Sequence, residues 1–328
     1  MVELIRRFPA LRHTLPRVNL RVHESPVEWW TVDGVRILIK RDDVCAPVLG
    51  GNKVRALEFL LAGAGPDSRV LTVGSAGSTH ALAVALYASR LLASCEVITW
   101  PQEENDASRA TRRRLSGLAR VTPARSVVEA YARAFVRRLR PSLRWIPAGG
   151  SSPLGALGHA NGMFECLTQL ELTGISQPAE IVVPLGSGGT AAGMLVALSV
   201  ASAPIRLVAA RVVPKIVANR RRVIGLARRT HALLAELSGT RLPPVDESLL
   251  EIDGSSFGGA YARETEEAGH AARLLRDAGG PVLDGTYSAK ALAVTLQRAR
   301  RATEGHVMFW LTFDGRWMDA RPHEGMKV

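Results

Sequence analysis

Val48-Leu49-Gly50-Gly51-Asn52-Lys53-Val54-Arg55-Ala56-Leu57-Glu58 runs from a glycine turn into an amphipathic pattern, and a lysine stands at the junction. Two adjacent glycines let a backbone turn tightly or pass close to a ligand. The apolar spacing that follows predicts a helix over 54–62, which places Lys53 at a helix opening. The basic side chains of the chain are nearly all arginine, and its lysines are Lys40, Lys53, Lys215, Lys290 and Lys327. Arginine stays protonated in proteins, whereas lysine can lose its proton and form a Schiff base. Of the five, Lys53 alone lies in a glycine-rich loop, which makes it the candidate reactive amine.

Outward from that loop, apolar runs bounded by turn signals alternate with helical patterns. Strands are expected over 35–39, 70–73, 95–99, 143–146, 181–185, 205–210, 282–283 and 307–311. Helices are expected over 81–92, 109–119, 127–139, 153–170, 191–200, up to residue 229, and over 263–277 and 289–300. Such alternation predicts α/β architecture: mostly parallel sheets with helices on both faces, and ligands beyond the carboxyl ends of the strands. No internal repeat or low-complexity linker interrupts the chain, so any domain division is discontinuous.

A second glycine loop, Gly186-Ser187-Gly188-Gly189-Thr190-Ala191-Ala192-Gly193, lies between the apolar strand 181–185 and a helix. Consecutive backbone N–H groups at a helix start form an anion site, and Ser187 and Thr190 add hydroxyl donors; the loop suits a phosphate. Gly186-x-Gly188-x-x-Ala191 also matches a dinucleotide fingerprint. A dinucleotide enzyme should then carry an acidic residue about twenty positions on, where this chain has Ala210-Arg211. An arginine there can accept a ribose phosphate, so a nicotinamide reading stays open.

The 328 residues, 47% hydrophobic and 22% charged, suit a soluble globular protein of two domains. The first twelve residues carry Arg6, Arg7 and Arg12 without an apolar run of signal length, and no later run approaches a membrane span, so a cytoplasmic protein without a membrane partner is expected. Cys45, Cys95 and Cys166 are too dispersed for a disulfide framework or a zinc site; they read as small buried residues, and no metal is expected. The net charge of +12 comes from arginines scattered over helical segments, as in Arg112 to Arg114 and Arg220 to Arg222. No nucleic-acid-binding motif accompanies them, so they read as solvated helix faces, with an acidic protein partner left open.

Lys40-Arg41-Asp42-Asp43, then the glycine-lysine motif continued through Phe59-Leu60, resembles the signature of the aminocyclopropane-carboxylate deaminase and D-cysteine desulfhydrase family. That family belongs to the tryptophan-synthase-β-like, or fold type II, pyridoxal-phosphate enzymes. The resemblance continues in order through Phe8-Pro9, the segments 74–80, 147–158 and 186–193, and Leu283-Asp284-Gly285-Thr286-Tyr287-Ser288-Ala289-Lys290-Ala291. It implies two open, twisted, mostly parallel sheets with helices on both faces. A large domain would comprise 1–52 plus 160–328, a small one 53–159, and the protein would be a homodimer. It also implies that pyridoxal 5'-phosphate is linked to Lys53, contacted by Asn52 and Thr79, and held at its phosphate by Gly186, Ser187, Gly188, Gly189 and Thr190. Ser78 would hold the substrate carboxylate, Tyr287 would stand near the reacting carbon, and Ser288 would face the ring nitrogen. His80, Tyr261, Phe313 and Asp314 would border the substrate.

This sequence also departs from the family. Ser78-Thr79-His80 stands where an asparagine is usual in the middle, Leu82 where an arginine is often found, and Phe313-Asp314-Gly315 where a glycine-rich turn is expected. The segment Leu15-Pro16-Arg17-Val18-Asn19 replaces a Pro-Thr-Pro pattern. The preferred expectation is a pyridoxal-phosphate lyase that removes the α-proton of a small amino acid, expels a β-substituent and releases ammonia and a keto acid. A β-replacement synthase is its near neighbour. A nicotinamide oxidoreductase and a non-catalytic relative are the readings from other classes.

Overall fold

The computed structural model describes residues 2–104, 106–139 and 142–316; Lys327 lies outside the described residues. After two short helices, α1 (Glu3–Arg7) and α2 (Leu11–Thr14), the chain forms β1 (Val27–Val32) and β2 (Val35–Lys40) and enters α3 (Asn52–Leu60). Then come β3 (Arg69–Ser75), α4 (Thr79–Arg90), β4 (Ser94–Trp100), α5 (Asp106–Leu118), β5 (Arg120–Pro123), α6 (Val127–Arg137), β6 (Leu143–Ile146) and α7 (Pro153–Thr173). The remainder is β7 (Glu180–Leu185), α8 (Gly189–Val200), β8 (Arg206–Arg211), α9 (Arg220–Ser238), β9 (Leu250–Asp253), α10 (Glu266–Asp277), α11 (Ser288–Arg301) and β10 (Val307–Trp310).

The strands make two sheets, one of six in the order β1-β2-β10-β7-β8-β9 and one of four in the order β5-β4-β3-β6. All pairings are parallel except the β1–β2 hairpin. Side chains of a strand alternate between faces, and a strand covered on both sides must therefore be apolar throughout. β7 meets that demand: Ile181, Val183 and Leu185 pack with α7, α8 and α9, while Val182 faces α10 and α11. The small sheet repeats the scheme, with Val70 and Val97 against α3 and α4 and with Leu71, Val73 and Ile98 against α6. Helices on both faces of two mostly parallel sheets match the expected class.

Local readings need correction at some points. Residues 282–283 are not a strand; they carry no regular secondary structure, and Leu283 is sunk into the core. β1, β5 and β9 have no counterpart among the expected strands. Helices α3, α4 and α8 each begin two residues earlier than expected, at Asn52, Thr79 and Gly189.

Under α3 lies a buried ion cluster. Arg55 pairs with Asp42 at 2.7 Å and with Glu165 at 2.9 Å, and Lys40 reaches Glu165 at 2.6 Å. Gly158 of α7 touches the Arg55 backbone so closely that an added Cβ would lie 2.1 Å from its carbonyl oxygen. The cluster ties β2, α3 and α7 together and fixes where α3 points its first turn.

Candidate active site

The carboxyl ends of both sheets face one cleft of ≈ 1460 Å³. Its lining includes the loop after β7, the turn after β10, the loop between β3 and α4, the segment from β6 to α7, and Lys53. Gly51 lets the lysine loop reach it. Its φ of +103° belongs to glycine, and a Cβ there would lie 2.1 Å from the Thr312 carbonyl oxygen. Asn52 N–H donates to that same oxygen at 3.1 Å, so the turn after β10 is stitched to the start of α3.

Lys53 lies in the first turn of α3, its Nζ 3.1 Å from Asn52 Oδ1 and 5.9 Å from the centre of the Tyr287 ring. Burial pushes its pKa down to about 8, against an opposing pull from the Asp284 carboxylate. Among the other described lysines, Lys40 is locked in the ion cluster, Lys215 is exposed, and Lys290 donates to the Phe257 carbonyl at 2.9 Å. Of the described lysines only Lys53 lines the cleft.

Opposite Lys53, Gly188 takes φ +94° before α8 and leaves the N–H groups of the 186–190 loop at a helix start. Asn52 Nδ2 donates to Thr190 Oγ1 at 2.9 Å, which joins the lysine motif to this loop. Ser151 closes the loop from the far side: its Oγ accepts from Gly189 N–H at 3.1 Å and lies 2.7 Å from Ser187 Oγ. A Cβ at Gly149 would lie 2.0 Å from Ser187 Oγ, so only glycine allows the two segments to meet.

Asp284 organises the third wall. Its carboxylate accepts from the N–H groups of Thr286, Tyr287 and Ser288 at 3.1, 2.6 and 3.1 Å. Tyr287 is thereby set against Gly186 and shares a hydroxyl contact of 3.0 Å with Tyr261. Burial, followed by the neighbouring Tyr261, raises the Tyr287 pKa far above that of a free phenol, so the group stays protonated. The Ser288 hydroxyl is buried and has no hydrogen-bond partner among the described residues.

Ser78 caps α4, accepting from Ala81 N–H at 3.2 Å, which leaves its own O–H to donate. Thr79 and His80 continue the helix, and all three line the cleft. His80 Nε2 lies 3.3 Å from Thr72 Oγ1, and burial, then Lys53, pushes its pKa down to about 3, so the ring is neutral. Phe313 and Asp314 also line the cleft, but the Asp314 carboxylate is occupied by Arg316, at 2.8 Å through both oxygens, and by Gly50 N–H at 3.3 Å. Of the cofactor and substrate residues named from the sequence, all but Ser288 border one cleft; Leu82 and the dinucleotide-type Arg211 do not. Arg211 points instead at Gly254, where a Cβ would lie 2.5 Å from its guanidinium, so the nicotinamide reading loses its second element.

The sequence reading gave Asp284 and Ser151 no role, and read Cys45 only as a small buried residue, which it is. Gly51 N–H contacts Cys45 Sγ at 3.3 Å, beneath the lysine loop. Asp284-Gly285 is a turn signal that would have found Asp284, whose carboxylate accepts from Thr286 N–H two residues on; Ser151 and Cys45 carry no local signal for contacts so distant in sequence.

The donor set fits pyridoxal 5'-phosphate: a nucleophilic amine, a helix-start loop of N–H groups for a phosphate, and an unpartnered buried hydroxyl. Comparison with known proteins agrees. A family model described as pyridoxal-phosphate dependent enzyme matches residues 25–312. The nocardicin C-9' epimerase of Nocardia uniformis is 34% identical over 313 residues, covering 91% of this chain and 92% of the relative. The D-cysteine desulfhydrase of Serratia proteamaculans is 32% identical over 319 residues, covering 90% and 92%. A crystal structure of an aminocyclopropane-carboxylate deaminase homologue superposes with a TM-score of 0.77 at 27% identity, covering 94% of each chain. A threonine deaminase structure, at 22% identity and a TM-score of 0.65, shares the fold.

Proposed function

Because the chain belongs to the pyridoxal-phosphate dependent enzyme family, we propose that it is a lyase of the deaminase and desulfhydrase kind, removing the α-proton of an amino acid and expelling a β-substituent. The observation that carries this is the placement of Lys53: an amine with pKa near 8, beside the Tyr287 ring and across from a phosphate-type loop. Pyridoxal phosphate, when bound, supplies an electron sink for the charge left as bonds at the α-carbon break. Lys53 Nζ would hold the cofactor and, as a free amine, is the base placed to take the α-proton. The 186–190 loop holds the phosphate, and Asn52 keeps lysine and loop in register through Thr190. The Ser78 hydroxyl and the first turn of α4 receive the substrate carboxylate. The protonated Tyr287 hydroxyl, steadied by Tyr261, gives a proton to the departing group. Ser288, buried behind the cleft wall, is the hydroxyl that would face the ring nitrogen; a neutral hydroxyl would not enforce protonation there, which suits elimination of a good leaving group.

A second reading, epimerisation, is favoured by the same tyrosine pair together with the nocardicin relative. A proton removed by Lys53 and returned by Tyr287 inverts the α-carbon without loss of a β-substituent. Keto-acid and ammonia assays over D-cysteine, L-cysteine, aminocyclopropane carboxylate and O-activated serines test the lyase; chiral analysis of the recovered amino acid tests inversion. Absence of keto acid with racemised substrate would transfer the assignment to epimerisation.

The proposal includes the domain division 1–52 plus 160–328 and 53–159, each part carrying one sheet. Homodimeric assembly is proposed from the family resemblance alone and a cytoplasmic location from the sequence reading; among the described residues no helix is long and apolar enough to cross a membrane.

A further inference from the structure

The cleft is larger than the chemistry at Lys53 requires. Its ≈ 1460 Å³, which has to take the cofactor as well as the substrate, exceeds the roughly 300–1,000 Å³ that encloses one drug-sized ligand. The solvent-facing part of its wall also differs from the polar lining around Lys53. Trp100 at the end of β4 stacks with Tyr131 of α6, ring centres 6.2 Å apart and planes 26° from parallel. Tyr131 is 41% exposed, and Val217 on the facing segment is 44% exposed, so apolar surface is presented from both sides of the cleft. Arg113 of α5 and Arg222 of α9 line the same space, and among the described residues neither guanidinium has a hydrogen-bond or ion-pair partner. Of the carboxylates in the lining, Asp284 and Asp314 are occupied as described, and Glu103 and Glu264 bound a side pocket that also contains Arg263.

We propose that the amino acid taken by this site is not small but carries an extended β-substituent with an aromatic ring and, beyond it, an anionic group. The ring lies against Trp100 and Tyr131, and the anion is met by Arg113 and Arg222. The proposal rests on the reading that the amino-acid end reacts at Lys53. For an S-aryl cysteine the step balances without an oxidant. Lys53 takes the α-proton, the Cβ–S bond breaks with its electron pair on sulfur, the thiolate takes a proton, and the three-carbon remainder takes up water to leave as pyruvate and ammonia.

The test uses the cofactor-loaded protein and three probes, each in both enantiomers: cysteine, S-phenylcysteine and S-(4-carboxyphenyl)cysteine. Binding is read from the change in cofactor absorbance and turnover from pyruvate. S-phenylcysteine should bind tighter than cysteine, and the carboxyl group should add about fivefold, the size expected of one or two solvent-exposed charge pairs. The ratio between the two aryl probes should fall to about one in Arg113→Gln/Arg222→Gln and shrink with added salt. A ratio near one in the native protein, or a ratio that survives the double substitution, would overturn the proposal while cysteine binding keeps the Lys53 reading intact. No absorbance change with any probe would remove both.

Discussion

Asn52 Nδ2 and Thr190 Oγ1 meet at 2.9 Å across 138 residues of chain, while Asn52 Oδ1 lies 3.1 Å from Lys53 Nζ. One amide thus touches both the proposed cofactor amine and the proposed phosphate loop. Asn52→Ala should weaken cofactor binding about tenfold, the effect of one or two hydrogen bonds at ~1 kcal/mol each. Equilibrium dialysis against pyridoxal phosphate measures this, and undiminished retention would contradict the coupling.

The Lys53 pKa of about 8 fixes the pH dependence of cofactor capture. Below that value the amine is protonated and not nucleophilic; as pH rises through it, the neutral fraction grows and saturates. The rate at which cofactor-free protein binds pyridoxal phosphate covalently should therefore rise through about pH 8 and level off. A rate that kept rising toward the ordinary lysine range would mean that burial does not depress this amine.

Gly51→Ala forces a side chain into φ +103° and a Cβ to 2.1 Å from the Thr312 oxygen. Strain alone costs roughly 1–3 kcal/mol, and relief of the clash must open the contact between the lysine loop and the turn after β10. Thermal melting should show a clear loss of stability, with loss of bound cofactor. A native melting temperature would argue against the tight approach.

Arg55→Met should cost roughly 3–5 kcal/mol, because it leaves Asp42 and Glu165 buried without their cation. Burial raises both carboxyls, but Arg55 and Lys40 outweigh it and hold both below their ordinary values. Their contribution is therefore present above the ordinary carboxylate range and is lost as pH falls through the depressed values. Urea unfolding from neutral to acid pH should show this decline in the native protein; equal stability of the variant at neutral pH would contradict it.

Tyr287→Phe keeps the ring that packs on Gly186 and removes the hydroxyl shared with Tyr261. Turnover should fall by roughly 10²–10⁴-fold, as for a lost general acid, with cofactor retention near native. Lost cofactor with undiminished residual turnover would assign Tyr287 a holding role instead.

The cleft helices explain what the sequence could and could not say. In α3, α4 and α8 the apolar period starts at residues 54, 81 and 191, yet each helix starts two residues earlier, at Asn52, Thr79 and Gly189. First-turn residues that face a ligand lack the apolar mark by which helices are read. β1, β5 and β9 were missed for a related reason: all three are sheet edges, half wet, with polar or exposed positions interrupting the apolar run. β7, buried on both faces, was legible at once. The short apolar pair at 282–283 imitated a strand, but it serves to lead Asp284 to the start of α11. Lys53 and the 186–190 loop were legible because glycine and lysine chemistry is local, whereas the Ser151–Ser187 contact spans 36 residues and exists only in the folded chain.

The central claim is that Lys53 is the amine that carries the cofactor, and borohydride tests it most directly. Protein incubated with pyridoxal phosphate, reduced and digested should yield one pyridoxyl-labelled peptide, the one containing Lys53, with the yellow absorbance bleached; Lys53→Ala should remain colourless and unlabelled. Label on Lys40, Lys215 or Lys290, or a native protein that takes up no label, would contradict the account.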